Sequence, residues 1–280
     1  MVFKKRFPWR LGVTSCVLPA DIMTNVRQLA PLVDDVQLLF FESAAKSRLP
    51  QPLDVRLLRD LAEAHSLTYT VHLPTDLALG AASRAGRQEG IGEILRLMAQ
   101  LAPLGVQSFD LHLVREPDLP EAAWLDNLAA GLEELAGALG DEKRLVGVEN
   151  IEYPFGLVAP LVAEYGFGVC LDLGHLVHYG HDVEEGLGLL SQVRHLHYHG
   201  VREGKDHQGL HDAGQAGMLG QRLAEAGYDG VVTLEMYSLE KLQTSLALLD
   251  EAWQSFSQQK NRTVLFAKVK KVPSPLAGEG

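Results

Sequence analysis

Short apolar runs alternate with amphipathic segments along the chain. Eight runs are rich in Val, Leu and Ile, a composition typical of strands that are buried on both faces. They span Arg10–Val17, Val36–Glu42, Thr68–Leu73, Ser108–Val114, Leu145–Ile151, Phe167–Leu173, Val193–Val201 and Val231–Met236. The segments between them, such as VRLLRDLAEAH and WLDNLAAGLEELAGALG, repeat Leu and Ala at helical spacing. Several end in Gly, which is favoured just after a helix.

This alternation predicts a parallel sheet that closes into a single (β/α)8 TIM barrel. The rival architecture, an open doubly wound sheet, usually has fewer strands and a Gly-rich first turn, which LGVTSCVLP does not supply. The 280 residues suit one barrel. We assign residues 1–258 to the barrel, with a last helix at Leu239–Gln258. Residues 259–280 turn basic and then rich in Pro and Gly, which predicts a partly disordered tail.

Composition narrows the range of partners. A net charge of −11 disfavours nucleic acid as a partner. No apolar run approaches the roughly 18 residues of a membrane span, and the basic start MVFKKRFPWR lacks the apolar stretch of a secretory signal. Cys16 and Cys170 lie in apolar runs and are interpreted as small buried hydrophobic residues. We therefore expect a cytoplasmic protein with a small-molecule substrate; no feature predicts an oligomeric state.

Acids and histidines recur where these apolar runs end. Barrel enzymes place their chemistry at the carboxyl ends of the strands, and a buried charged group must be paired or bound. These residues are Glu42, His72, His112, Glu149, Asp172, His175, His197, His199 and Glu235. Imidazole and carboxylate ligands suit Zn²⁺, Mn²⁺, Fe²⁺ or Co²⁺. The sequence therefore predicts one shared site for divalent metal, holding one to three ions.

The seventh run carries three histidines on one face, because side chains alternate along a strand. His195 lies lowest and is interpreted as a packed layer residue, and at least one of His197 and His199 is expected to bind metal. Asp206 and His207 in the following loop are interpreted either as solvated or as part of the site.

Roles within the predicted site follow from residue type and position. Arginines in the loops after the third and fourth strands are well placed to grip a phosphate. Glu42 is interpreted either as a contact to substrate or metal or as a helix-start charge. The predicted catalytic residues are Glu149, Asp172 and Glu235. The predicted substrate-binding residues are Glu42, Arg84, Arg87, Arg115 and Asn150.

At these residues the chain resembles the xylose-isomerase-like barrel superfamily, which includes AP endonuclease IV, sugar isomerases and epimerases, over roughly residues 8–256. Resemblance to the endonuclease-IV-like members implies metal ligands on strands three to eight. At the matching positions stand His72, His112, Glu149, Asp172, His175, His197 or His199, and Glu235. Those members hold a third ion with an Asp-x-His pattern after strand seven, whereas Asp206 and His207 are adjacent here.

The resemblance also implies a reaction. Sugar isomerases of the superfamily often keep only the ligands of strands five to eight, so histidines on strands three and four favour phosphodiester chemistry. HLHYHGVREGKDHQGL and the paired VHLP and LHLV resemble the cobamide-remodelling branch, which implies hydrolysis of the nucleotide loop of adenosylcobamides. The alternative is a metal-dependent isomerase or epimerase of a sugar or sugar phosphate, with Glu149 and Glu235 moving a proton. A DNA-repair endonuclease and a barrel that binds metal or corrinoid without turnover are less favoured.

Overall fold

Eight parallel strands form a closed barrel in the computed structural model, which describes residues 2–41 and 52–269. Two further strands form a separate hairpin and share the numbering. The strands are β1 (Arg10–Thr14), β2 (Asp35–Leu39), β3 (Thr68–His72), β4 (Phe109–Leu111), β5 (Val146–Glu149), β6 (Gly168–Asp172), β7 (Val193–Tyr198), β8 (Gly200–Arg202), β9 (Lys205–Gln208) and β10 (Val231–Leu234). Barrel strands that follow one another in the chain lie side by side, and β10 closes the ring against β1. The predicted fold class is confirmed.

Helices surround this barrel. They are α1 (Ile22–Leu29), α2 (Pro52–His65), α3 (Arg84–Leu101), α4 (Glu121–Leu139), α5 (Ala159–Tyr165), α6 (Leu173–Tyr179), α7 (Val183–Leu187), α8 (Ala213–Ala226) and α9 (Leu239–Val269). Asp21, Ser83 and Asp212 begin α1, α3 and α8, because each side chain accepts a hydrogen bond from a backbone N–H three residues later. No helix among the described residues is long and apolar enough to cross a membrane.

The strands separate an apolar outer layer from a polar interior. In β6, Val169 and Leu171 belong to the apolar core between strands and helices. Cys170 and Asp172 alternate with them and contact histidines inside the barrel. Both sides of the strand are buried, which explains the nearly continuous apolar runs of the sequence.

All eight barrel strands end earlier than the apolar runs predict. The ladder of β4 stops at Leu111 and that of β10 at Leu234, so His112 and Glu235 each stand just beyond their strand. The predicted ends at Val114 and Met236 are therefore wrong. Backbone that leaves the ladder can turn its side chains toward the barrel axis, and the residues at these ends do so.

The seventh predicted strand is in fact two elements. The run Val193–Val201 breaks at His199, after which β8 pairs with β9 as an antiparallel hairpin. A Cβ on Gly200 would lie 2.3 Å from the carbonyl oxygen of Gly209, so only glycine permits this close approach. Glu203 and Gly204 turn the hairpin with positive φ angles of 53° and 71°. The expected loop after strand seven is thus partly a strand.

The last helix is longer than predicted. Its backbone stays helical past Gln258 to Val269, because no Gly or Pro interrupts the segment before Pro273. The predicted end of the last helix at Gln258 is therefore wrong. Residues 270–280 lie outside the described residues, and the division of the chain into barrel and tail stays a prediction.

Candidate metal centre

Three groups of potential metal ligands lie at the carboxyl end of the barrel, and the first two share one residue. In each group the ligand atoms lie within 4.8 Å of one another. The first cluster is His72, His112 and Glu149; the second is Glu149, Asp172, His197 and Glu235; the third is His175, His199 and His207. Nearly all the metal ligands predicted from the sequence are therefore brought together, including both His197 and His199, which enter different clusters.

Glu149, the last residue of β5, connects the first two clusters. Its Oε2 lies 3.4 Å from Nε2 of His72 and 3.2 Å from Nε2 of His112. Its Oε1 lies 3.3 Å from Nδ1 of His175 and 3.4 Å from Nδ1 of His197. Burial opposes ionisation of this carboxyl, but the surrounding imidazoles, His197 and His112 foremost, lower the pKa of Glu149 well below its usual value.

Asp172 is held in place by the start of α6. Its Oδ1 accepts a 2.8 Å hydrogen bond from the backbone N–H of His175, so the D-x-x-H spacing is that of a helix cap. Asn150 fixes the backbone of Asp172 from the neighbouring strand: its Nδ2 donates to the carbonyl at 2.9 Å and its Oδ1 accepts from the N–H at 2.7 Å. The cap leaves Oδ2 of Asp172 facing Nδ1 of His197 at 3.7 Å.

Glu235 completes the second cluster. Its Oε2 lies 3.0 Å from Nδ1 of His197, and its Oε1 accepts a 3.2 Å hydrogen bond from the hydroxyl of Tyr237. Burial raises the pKa of this carboxyl, but the nearby His197 outweighs burial and brings the pKa of Glu235 down to about 2. Glu149 and Glu235 are thus both ionised at neutral pH.

The third cluster depends on glycine in the DLGH turn. A Cβ on Gly174 would lie 2.1 Å from Cε1 of His199, so the ring occupies the space that a side chain would take. The backbone N–H of His207 donates to Nδ1 of His199 at 3.0 Å. Asp206 does not join the cluster; its carboxylate lies 3.7 Å from Nε2 of His207 and is partly exposed. Of these two loop residues, His207 therefore belongs to the third cluster and Asp206 does not.

The ligand atoms of these clusters fit a divalent cation. Among the described residues, several of them are buried and have no hydrogen-bond partner, a state that costs free energy unless another ligand satisfies it. These atoms are both carboxylate oxygens of Glu149, Oδ2 of Asp172, Oε2 of Glu235, Nε2 of His112 and Nε2 of His199. Oxygen and nitrogen donors of this kind are those that Zn²⁺, Mn²⁺, Fe²⁺ and Co²⁺ bind.

A fourth group lies one layer deeper in the barrel and differs from the three clusters in its hydrogen bonding. The ligand atoms of this group also lie within 4.8 Å of one another; the group is Asp110, Cys170, His195 and His197. Here, however, Nδ1 of His195 contacts Asp110 Oδ2 at 2.7 Å and its Nε2 contacts Oγ1 of Thr233 at 2.7 Å. Because these atoms are already paired, the deeper group is a hydrogen-bonded layer and not a metal site.

Sequence analysis missed Asp110 and Tyr237, although a signal was present for the first. In FDLHLV, Asp110 lies two residues before His112, so alternation puts both on the inner face of the strand. Tyr237 follows β10 in irregular backbone, where no periodicity indicates its direction.

The residues predicted to bind substrate are not grouped as closely as the predicted metal ligands. Arg87 donates to the carbonyl oxygen of Ala81 at 2.7 Å, Arg115 pairs with Glu121 at 3.1 Å, and Arg84 is exposed. Asn150 is buried and uses its amide on Asp172. Their part in substrate binding stays a prediction. Glu42 lies outside the described residues.

The family model of the xylose isomerase-like TIM barrel matches residues 30–252, and the chain belongs to this family. A search among curated proteins finds no match. Among solved structures, a D-tagatose 3-epimerase-like protein is 20% identical, with a TM-score of 0.73, over 89% of this chain and 99% of that one. Endonuclease IV from Thermus thermophilus is 22% identical, with a TM-score of 0.66, over 88% and 99%.

The IolI protein, whose structure contains a zinc atom, is 16% identical, with a TM-score of 0.66, over 90% of this chain and 96% of that one. Identities this low establish a shared fold and no more. The family membership is thus consistent with an enzyme of either hydrolase or isomerase type, and the choice between them depends on the site.

Proposed function

We propose that this protein is a metal-dependent hydrolase that cleaves a phosphodiester in a small molecule. The observation that carries the proposal is the sharing of Glu149 between two ligand clusters, with a third cluster beside them. One ion needs about four ligands, and this centre offers more than twice that number of donor atoms. Hydrolysis of phosphodiesters commonly uses two or more ions that lie close together.

Divalent ions bound in these clusters would supply Lewis-acid activation of water and neutralise charge that develops on the phosphoryl group. The first cluster would hold one ion through His72 and His112, and the second another through Asp172, His197 and Glu235. Glu149 has one oxygen directed toward each side and is suited to bridge them.

The chain's own residues contribute orientation and exclusion of water. Asp172 is fixed by the helix cap and by Asn150, so its carboxylate does not have to be ordered during the reaction. Glu149 and Asp172 are wholly buried, which strengthens their electrostatic interactions with any bound cation. The backbone bond to His207 gives His199 a fixed direction as well.

The proposed substrate is an adenosylcobamide, cleaved in its nucleotide loop to release a cobinamide phosphate and the α-riboside of the lower-ligand base. Support comes from the resemblance of HLHYHGVREGKDHQGL and of the paired VHLP and LHLV to cobamide-remodelling enzymes. The net charge of −11 supports a small molecule over DNA.

A sugar isomerase or epimerase is the second candidate. It is favoured by the second cluster, in which the carboxylates of Glu149 and Glu235 both lie next to His197. With one ion bound, these two glutamates could remove a proton on one side of a substrate carbonyl and return it on the other. Structural neighbours named as D-tagatose and D-psicose 3-epimerases also favour it.

Mass spectrometry of adenosylcobalamin incubated with the purified protein in the dark tests the proposal, with Zn²⁺, Mn²⁺, Fe²⁺ and Co²⁺ supplied in turn. Cobinamide phosphate together with the free α-riboside is the expected product pair. Unchanged cofactor in the presence of folded, metal-loaded protein would reject the cobamide substrate.

Metal content and one variant separate the two reaction types. We expect more than one tightly bound ion per chain, and loss of phosphodiesterase activity in His72→Ala. His211→Ala, which removes an exposed histidine outside the clusters, is the matched control and should retain activity. A single ion and a mild effect of His72→Ala on turnover of D-tagatose or D-fructose would favour the isomerase.

A further inference from the structure

Exposed apolar side chains surround the mouth of the polar centre. Single exposed apolar residues are ordinary, but a grouped set next to a site indicates a ligand surface. Phe41 follows β2, Tyr179 ends α6 and Tyr237 follows β10, and each is about 40% exposed, at 41%, 41% and 40%. We call these three residues the mouth rim.

Tyr237 joins the mouth rim to the ligand clusters. Its hydroxyl is tied to Glu235, and its ring lies 4.8 Å from that of His207 at a tilt of 35°. Across the third cluster, the ring of Tyr179 lies 5.9 Å from that of His175. Aromatic surface is therefore continuous with the ligands on two sides of the centre.

Phe41 is exposed and nevertheless held in place. Its carbonyl oxygen accepts hydrogen bonds from the backbone N–H and the hydroxyl of Thr75, at 3.1 and 2.8 Å. Its ring meets that of Tyr237 edge to face, with centroids 5.9 Å apart and planes at 70°. This geometry leaves ring surface of both residues open at the entrance.

We propose that the mouth rim binds a planar aromatic or conjugated ring carried by the substrate, next to the phosphoryl group that the metal centre would act on. This inference rests on the proposed function and narrows it to phosphoesters that bear a flat ring close to phosphorus. Stacking a ring on Phe41 and Tyr237 removes apolar surface from water on both partners. A bare sugar phosphate would instead lose hydration of its hydroxyl groups against the same surface.

Two phosphonates test the proposal by isothermal titration calorimetry on the metal-loaded protein. Phenylphosphonate and methylphosphonate carry the same charged head and differ in the ring. We expect the phenyl compound to bind on the order of tenfold more tightly. In Phe41→Ala, the affinities for phenylphosphonate and methylphosphonate should become similar. Phe41→Leu, which keeps apolar bulk but lacks the ring, should have the same effect. The ring contact of Phe41 in the described structure is with Tyr237, which is not a proposed metal ligand.

Leu145→Ala is the matched control, because this exposed apolar residue lies just before β5, at the opposite end of the barrel. It should leave the preference for phenylphosphonate unchanged. Equal binding of both compounds to the unaltered protein, or a preference that survives both Phe41 variants, would overturn the mouth rim as a ring-binding site. Failure of both phosphonates to bind would instead reject the phosphoester chemistry of the proposed function, and this inference with it.

Discussion

Hydrogen bonding distinguishes two layers of acids and histidines inside this barrel. The upper layer, with Glu149 and Glu235, contains buried oxygens that have no hydrogen-bond partner among the described residues. In the lower layer, Nδ1 of His195 and Oδ2 of Asp110 are hydrogen-bonded at 2.7 Å. Both layers contain acids and histidines on the same strands, as in the pairs Asp110 and His112 or His195 and His197. Sequence patterns alone therefore identify candidates for metal binding, and only pairing in three dimensions separates ligands from packing residues.

Asp110 is expected to control the orientation of a metal ligand. Its Oδ2 lies 3.5 Å from Nε2 of His197 and accepts a 3.0 Å hydrogen bond from Gln37, which also contacts that nitrogen at 2.8 Å. The opposite nitrogen, Nδ1, faces Glu149 and Glu235. Asp110→Asn should therefore weaken metal binding by about 10- to 100-fold, as chelator competition would measure.

The control for Asp110→Asn is Asp35→Asn. Asp35 is another wholly buried carboxylate of the barrel, but it bonds to Thr68 and Thr70 and contacts no proposed ligand among the described residues. Thermal unfolding without metal should show that both variants fold. Equal metal affinity of Asp110→Asn and the unaltered protein would contradict the positioning role.

Metal binding is expected to release protons. Burial lowers the pKa of His175, but Asp172 and Glu149 outweigh it and raise the pKa to about 10 in the metal-free protein. The pKa of His72 and that of His199 are also raised by neighbouring carboxylates against the effect of burial. Protonated imidazole cannot bind metal, so the affinity should keep rising as the pH increases toward about 10, the pKa of His175.

Calorimetric titration in two buffers of different ionisation enthalpy measures this release. The observed heat should differ between buffers, with protons passing from protein to buffer, and His211→Ala should give the same proton count. A heat that does not depend on the buffer would show that these histidines are neutral before metal binds.

At the scale of elements, the order of strands and helices could be predicted from the sequence, but the breaks within them could not. Eight apolar runs correspond to eight barrel strands, since burial on both faces leaves a strong signal. The hairpin of β8 and β9 depends on a tight turn at Glu203 and Gly204 and on the close approach of Gly200 to Gly209. Such contacts leave no periodic signal. The same limit left open in the sequence that His207 joins the third cluster and Asp206 does not.

Gly174, in the first turn of α6, provides a test of the third cluster. Gly174→Ala would place a methyl group within the ring of His199, so we expect the ring to be displaced from Asp172, which its Nε2 now approaches to 3.2 Å. Metal analysis after dialysis should show loss of the ion held by the third cluster. The ion held by the first cluster should remain, because His72, His112 and Glu149 do not come from α6.

Gly217→Ala is the matched control, since a Cβ at that helical position would meet nothing within 4 Å. It should retain the full metal content and gain slightly in stability through higher helix propensity. Unchanged metal content in Gly174→Ala would mean that the three histidines do not bind an ion.

At the scale of the whole molecule, the candidate centre joins the carboxyl ends of six strands, from β3 to β7 and β10. Its acidic members come from residues far apart in the chain: Glu149, Asp172 and Glu235. That these ends converge follows from barrel closure and could be predicted from the sequence. Which oxygen of Glu149 faces which histidine could not, because it depends on the direction of one side chain.

Because six strands supply ligands, metal removal is expected to destabilise the barrel as a unit. An ion at a hundredfold excess over its dissociation constant stabilises the folded state by about 2.7 kcal/mol. For a domain of this size, that corresponds to a shift of roughly 5–10 °C in the unfolding temperature. Calorimetry of protein with and without chelator should show this shift in one cooperative transition, and Glu149→Gln should abolish most of it. Equal unfolding temperatures would indicate that the carboxylates and histidines stabilise the barrel by their ion pairs alone.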